Sequence, residues 1–116
     1  MYSPIIKDVD VEILDGQIVK EISFSLEHLH PDDFEILREI GDLDGVSFPM
    51  LVAPWPGGWR IELERNDESR SMLSEADIFS DGFRALCDIA YQHECRRILI
   101  IRSMVPTPGL PTYKRR

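Results

Sequence analysis

The sequence lacks the motifs by which common enzyme classes are recognised. It has no glycine-rich phosphate loop ending in Lys and Ser or Thr, no serine nucleophile elbow and no helix with paired zinc-binding histidines. Its one close Cys-His-Asp set is Cys87, Asp88 and His93. A helix would turn Cys87 and His93 about 240° apart, which prevents a catalytic relay. We therefore expect no catalytic residues and a protein that is not an enzyme.

Cysteines and long apolar runs are scarce. Cys87 and Cys95 lie in a segment predicted to be one helix, with their Cα atoms about 12 Å apart, too far for a disulfide. No apolar run approaches the roughly 18 residues that span a bilayer. The first residues also lack the basic and apolar stretches of a signal peptide. We expect a cytoplasmic protein with reduced thiols and no membrane partner.

Metal-ligating side chains are few. His28, His30, His93 and Cys95 could supply nitrogen and sulfur ligands, but the C-x-x-C spacing of zinc sites is missing. On a helix, His93 and Cys95 would diverge by about 200°, so that pair could not chelate one ion. We expect neither a metal nor a cofactor.

The distribution of charge is the most informative feature that the sequence does have. The first 45 residues contain twelve acidic and three basic residues, whereas the remaining 71 carry a net +1 and end in Lys114-Arg115-Arg116. The whole chain has a formal net charge of −8. This charge opposes binding to the phosphates of nucleic acid and favours contact with basic protein surfaces. We expect a protein partner and no direct contact with nucleic acid.

The periodicity of apolar residues predicts the element order ββαββαβ. A hairpin turning at Asp15-Gly16 sets Asp10 opposite Glu21, and a helix follows from Pro31 to a stop at Gly41. A second hairpin has strands at residues 48–52 and 59–64, and residues 66–74 are expected to form a mobile loop. A second helix, capped by Ser80, precedes a strand at residues 98–101.

This order indicates an α+β domain of residues 1–105, with two helices packed on one face of a largely antiparallel sheet. Residues 106–116 are rich in proline and basic residues, and we expect them to form an extended, solvated C-terminal tail.

Acidic residues recur along one side of the first predicted helix. Their spacing of i, i+3, i+7 and i+10 places them in one row, which we call the acidic stripe: Asp32, Glu35, Glu39 and Asp42. Carboxylates about 5–6 Å apart along a helix can imitate a row of phosphates. A solvated helix face is the commoner meaning of such a pattern.

Two further surfaces could contribute to binding. Asp10, Glu12 and Glu21 form a second acidic face on the first hairpin. Trp55 lies between two prolines in the turn of the second hairpin, where it could be a binding hot spot or a lid over the core.

Four local strings resemble a family of small uncharacterised domains encoded on bacterial plasmids, phages and integrative elements. They are Ser25-x-x-His28-Leu29-x-Pro31-x-Asp33, Gly58-Trp59-x-Ile61, Ser80-Asp81-Gly82-Phe83 with Ala90 and Cys95, and Gly109-Leu110-Pro111-Thr112-Tyr113. The resemblance implies no known activity and no catalytic residues. It does imply a mobile-element context, in which small acidic proteins that antagonise host defence are common.

These observations lead to one hypothesis and two alternatives. The hypothesis is a non-catalytic acidic module that covers a basic surface of a host protein or protein complex. It would be a phage or mobile-element inhibitor of a nucleic-acid-targeting defence system, of the anti-CRISPR or anti-restriction type. One alternative is a small enzyme or ligand-binding domain with a pocket between the second hairpin and the second helix. The other is an antitoxin or immunity protein. The sequence leaves the oligomeric state open.

Overall fold

A computed structural model describes residues 9–14, 17–42, 50–55, 57–64, 66–75 and 77–113. Five strands form one sheet in the order β1-β2-β5-β4-β3. In chain order the elements are β1 (Val9–Leu14), β2 (Gln17–Ser25), a 3-10 turn (Leu26–His28), α1 (Pro31–Asp42), β3 (Met50–Trp55), β4 (Gly58–Leu63), α2 (Asp67–Ser74), α3 (Asp81–Gln92) and β5 (Arg97–Ile101). The α+β class predicted from the sequence is confirmed.

The first hairpin has the register that its sequence predicts. β1 and β2 pair antiparallel, with Ile13 opposite Ile18 and Asp10 opposite Glu21. The turn residues Asp15 and Gly16 lie outside the described residues. Register is specified here because a slip by one residue would exchange the apolar and acidic faces of the hairpin.

The centre of the sheet differs from the prediction. β2 and β5 pair in parallel, with Ile22 opposite Ile98 and Phe24 opposite Ile100. The expectation of a largely antiparallel sheet holds for β1–β2, β3–β4 and β4–β5, but the sheet as a whole is mixed. The continuous apolar run of β5 is typical of a strand buried on both faces, and its side chains from Ile98 to Ile100 are all buried.

The expectation of a mobile loop at residues 66–74 is wrong, because these residues form a third helix. The side chain of Asn66 caps α2 by accepting a hydrogen bond from the Ser69 N–H at 2.7 Å. Helix α2 packs against α3, and only two of its residues, Ser69 and Leu73, are buried. Because so few residues of α2 are buried, its sequence is mostly polar and shows no helical period of apolar residues.

The second hairpin turns more tightly than predicted. β3 continues through Pro54 to Trp55, which pairs with Gly58 at the start of β4. A side chain at Gly58 would place its Cβ only 1.6 Å from the backbone oxygen of Ile100, so the strands can approach here only with glycine.

The main core lies between the sheet and α3. Apolar residues of β2, β4 and β5 alternate onto one face, and α3 contributes the stripe expected from its sequence. Phe83, Leu86 and Ala90 are essentially inaccessible to solvent. The predicted second helix, with its N-cap at Ser80, is thus confirmed as α3. Within the described part of the chain, no helix is long and apolar enough to cross a membrane.

The C-terminal segment, which its composition predicts to be a solvated tail, contacts the domain as far as Tyr113, the last residue that the structure describes. Leu110 is buried with the core, and the Tyr113 N–H donates a hydrogen bond to the backbone oxygen of Glu27 at 2.9 Å. Residues 107–113 have no helix or strand, but they pack onto the domain because their backbone and aromatic groups find partners there. Residues 114–116 lie outside the described part of the chain.

Candidate functional site

Helix α1 presents the described part of the acidic stripe to solvent. Asp32, Glu35 and Glu39 are exposed, whereas Asp33 and Leu37 on the opposite side are buried. Asp42 is the last residue of α1, and its side chain lies outside the described residues. The helical spacing therefore separates an acidic outer face from a buried inner face, as the sequence predicts.

The buried carboxylate of Asp33 fixes the start of α1. Its Oδ2 accepts a hydrogen bond from the His30 N–H at 2.8 Å, which satisfies a backbone donor at the helix N-terminus. The same carboxylate accepts bonds from the Ser80 N–H at 2.9 Å and the Ser80 hydroxyl at 2.5 Å. Because Ser80 caps α3, one carboxylate joins the N-termini of two helices, where helix dipoles stabilise negative charge.

His28 fastens the C-terminal segment to the same end of the domain. Its Nε2 accepts a hydrogen bond from the Thr107 N–H at 2.9 Å, and its Nδ1 lies 2.7 Å from the backbone oxygen of Pro111. A backbone N–H can only donate and a carbonyl can only accept, so the proton is on Nδ1 and the ring is neutral. This fully buried ring therefore acts as a double clamp on residues 107–111.

Tyr113 completes this cluster. Its hydroxyl accepts a hydrogen bond from the Gly82 N–H in the first turn of α3 at 3.0 Å, and its ring lies edge-on to His30 with centroids 5.4 Å apart. A Cβ at Gly82 would lie 2.1 Å from the backbone oxygen of His28 and 2.7 Å from the Tyr113 ring. We call the residues that join these three segments the helix-end network: His28, Asp33, Ser80, Gly82 and Tyr113.

On the first hairpin, unlike on the acidic stripe, an acidic side chain is paired within the domain. The Glu21 carboxylate lies 3.3 Å from a guanidinium nitrogen of Arg97, and Arg97 also lies 3.5 Å from Glu62. Glu21 therefore has its basic partner inside the chain, where its side chain is only 17% exposed. The side chains of Asp10 and Glu12 on β1, and of Trp55 at the end of β3, lie outside the described residues.

A cavity of about 220 Å³ opens beside the second hairpin. The residues that line it are Leu51, Glu62, Leu63, Glu64 and Arg96. One alternative drawn from the sequence expects a pocket between this hairpin and the helix that is now α3. The described lining instead comes from β3, β4 and the residues next to them, with Arg96 from the connection between α3 and β5.

Both thiols are buried. Burial raises the pKa of the Cys87 thiol far above its ordinary value, and the nearby charges of Asp33 and Asp88 raise it further. Cys95 lies beyond the end of α3 and is buried, whereas His93 is exposed. Among the described residues, no three His, Cys, Asp or Glu side chains are grouped so that they could hold a metal ion.

The match to a known family covers most of the chain. A family model described as the C-terminal domain of a family of unknown function, DUF5983, matches residues 22–115. The chain belongs to the DUF5983 family. This confirms membership of an uncharacterised family, as the resemblance implied. No curated protein matches the chain, and no solved structure matches it.

The DUF5983 match spans every residue of the helix-end network. Three of the four strings contribute to the network: the one at residues 25–33, the one at 80–83 and the one at 109–113. The sequence alone did not predict that these residues meet. His28 and Pro111 are separated by 83 positions, so no local pattern predicts their contact. The one signal that could have indicated it was that both residues belong to strings of the same family resemblance.

Proposed function

We propose that this DUF5983 domain is a non-catalytic protein-binding module whose acidic stripe docks on a basic surface of a host protein or protein complex. The observation that supports this most strongly is the arrangement of α1. Three exposed carboxylates lie on a helix whose inner face is buried and whose N-terminus is fixed by Asp33. A surface that is already ordered loses little conformational entropy when it binds.

Two carboxylates of the stripe are available to a partner. Among the described residues, neither Glu35 nor Glu39 forms a salt bridge, and both are exposed. The exposed Arg38 lies beside them and offsets part of their charge. Complementary charge of this kind accelerates association and selects the partner more than it increases affinity.

We extend the proposal to the biological setting. The DUF5983 domain would be encoded on a phage, plasmid or integrative element and would act in the cytoplasm. Its target would be a nucleic-acid-targeting defence system, as for anti-CRISPR or anti-restriction proteins. Such systems hold phosphates on basic surfaces, and a rigid row of carboxylates could occupy one of them without any contact to nucleic acid.

Capture of partners from a host lysate tests the proposal. The wild-type domain should retain a basic protein that the double variant Glu35→Lys/Glu39→Lys fails to retain. The matched control is Glu68→Lys/Glu75→Lys, which makes the same change of charge at exposed positions of α2 and its C-cap. Equal retention by both double variants would reject the stripe as the docking surface. A ribonuclease or other toxin as the retained protein would identify an antitoxin or immunity protein instead.

A further inference from the structure

The cavity beside the second hairpin is lined by acidic, basic and apolar side chains, and none of them belongs to the acidic stripe. We propose that it binds a small zwitterion with an apolar side group, of the α-amino acid class. Glu64 would bind the ammonium group, Arg96 would bind the carboxylate, and Leu51 would contact the apolar side group. This inference is separate from the proposed docking of α1, because none of these residues belongs to that helix.

Glu64 and Arg96, two of the three charged residues that line the cavity, extend from backbone that is held in place. The Tyr91 hydroxyl donates a hydrogen bond to the backbone oxygen of Glu64 at 2.6 Å, which joins this position to α3. The backbone oxygen of Arg96 accepts a hydrogen bond from the Leu63 N–H at 2.8 Å, and the backbone N–H of Arg96 donates to the backbone oxygen of Lys20 at 3.0 Å. These bonds fix the backbone from which the Glu64 and Arg96 side chains extend, which lowers the entropy lost when a ligand binds.

Two of the three charged residues that line the cavity form no salt bridge within the described part of the domain. Among the described residues, neither Glu64 nor Arg96 takes part in a salt bridge, although they line the same cavity. Glu62 also lines it, but its carboxylate is next to Arg97. One carboxylate and one guanidinium therefore remain for a ligand, and this pair matches a molecule that carries both an anion and a cation.

The size and surface of the cavity favour a small ligand. Its volume of about 220 Å³ is below the roughly 300–1,000 Å³ of pockets that hold drug-sized molecules. Leu51 lies on its wall and is 65% exposed, so an apolar group placed there would cover a leucine that is otherwise in contact with water.

Titration with L-leucine, followed by the backbone amide resonances of the domain, tests the proposal. We expect saturable shifts confined to Leu51, residues 62–64 and Arg96. Isoamylamine lacks the carboxylate of leucine and 4-methylpentanoate lacks its ammonium group. Each should bind about tenfold more weakly, because each leaves one charge of the cavity without a partner.

Two variants connect the binding to the cavity. Glu64→Gln and Arg96→Gln should each weaken leucine binding about tenfold, whereas Glu68→Gln and Arg102→Gln, at exposed positions outside the cavity lining, should leave it unchanged. Unchanged amide spectra outside residues near each substitution would show that the variants are folded. The proposal would be overturned by an absence of saturable shifts, by an analogue that binds as tightly as leucine, or by a cavity variant that binds leucine as tightly as the wild type does.

Discussion

The carboxylate of Asp33 accepts hydrogen bonds from both the backbone N–H and the hydroxyl of Ser80, 47 positions away in the sequence. The same hydroxyl accepts a bond from the Phe83 N–H, so the chain of hydrogen bonds runs directly into α3. The helix that carries the acidic stripe is therefore tied to the helix that forms the core. We infer that the position of the stripe depends on this one buried carboxylate.

Removal of the Asp33 carboxylate should destabilise the domain strongly. Asp33→Ala leaves the donors of Ser80 and His30 without their acceptor, and we expect a loss of about 3 kcal/mol in the free energy of unfolding. Asp32→Ala is the control, since Asp32 is exposed in the same turn, and its change should stay within about 0.5 kcal/mol. Urea denaturation measures both values. Similar losses for the two variants would contradict the role assigned to Asp33.

Removal of the His28 ring should release the C-terminal segment before it unfolds the rest. His28→Ala leaves the Thr107 N–H and the Pro111 oxygen without a partner, at a cost of about 2 kcal/mol. The substitution should therefore increase the rate of amide hydrogen exchange more at Thr107 and Tyr113 than in the central strand β5. Replacement of the exposed His93 by Ala is the control and should leave the exchange at Thr107 unchanged. A uniform increase of exchange across the domain would argue against a local clamp.

A single methyl group at Gly82 should disturb the same end of the molecule. Gly82→Ala would place a Cβ 2.1 Å from the backbone oxygen of His28, so α3 and the 3-10 turn would have to separate. We expect a loss of about 2–3 kcal/mol, at the upper end of overpacking effects. The control is Gly109→Ser, where no atom lies within 4 Å of a Cβ but φ is +90°, so the loss should come from backbone strain alone and be about 1–2 kcal/mol. Thermal unfolding measures the stability of both variants. A Gly82→Ala variant as stable as the wild type would refute the close contact.

The sequence predicted features that depend on local patterns. The register of Asp10 opposite Glu21 followed from a two-residue turn and strict alternation, and both operate over a few positions. Helix α3 followed from its N-cap at Ser80 and its apolar stripe. Helix α2 could have been detected from Asn66, followed by two acids in the first turn, but its mostly polar sequence indicated a loop.

Features that depend on contacts between distant segments could not be predicted from local sequence patterns. The parallel pairing of β2 with β5 joins residues 76 positions apart, and nothing near Ile22 or Ile98 specifies that partner. The clamp of His28 on Thr107 and Pro111 arises in the same way from the path of the chain. The acidic stripe was predictable as an exposed row because it needs only helical geometry. The internal pairing of Glu21 with Arg97 was not predictable, because it needs the order of the strands.

The Cys87 thiol should be inert in the native protein. Burial raises its pKa far above the ordinary value, so the nucleophilic thiolate is absent near pH ~8. Mass spectrometry after iodoacetamide treatment should find Cys87 unmodified in the native domain and modified in urea. Because the pKa of Cys87 is raised in the folded state, its contribution to the free energy of unfolding is fully present below the ordinary thiol pKa. This contribution is lost as the pH rises above that value. Rapid modification of native Cys87 would place the thiol at the surface.

Association kinetics with the captured host protein test the central claim most directly. For wild type, the association rate should fall steeply as salt rises, because charges more than about 8–10 Å apart are screened at physiological ionic strength. For Glu35→Lys/Glu39→Lys, the rate at low salt should fall at least about tenfold and lose most of its salt dependence. The Glu68→Lys/Glu75→Lys control should change the rate far less, and both variants should unfold at the wild-type temperature. An unchanged rate and salt dependence for Glu35→Lys/Glu39→Lys would contradict the proposal that the acidic stripe of α1 is the docking surface.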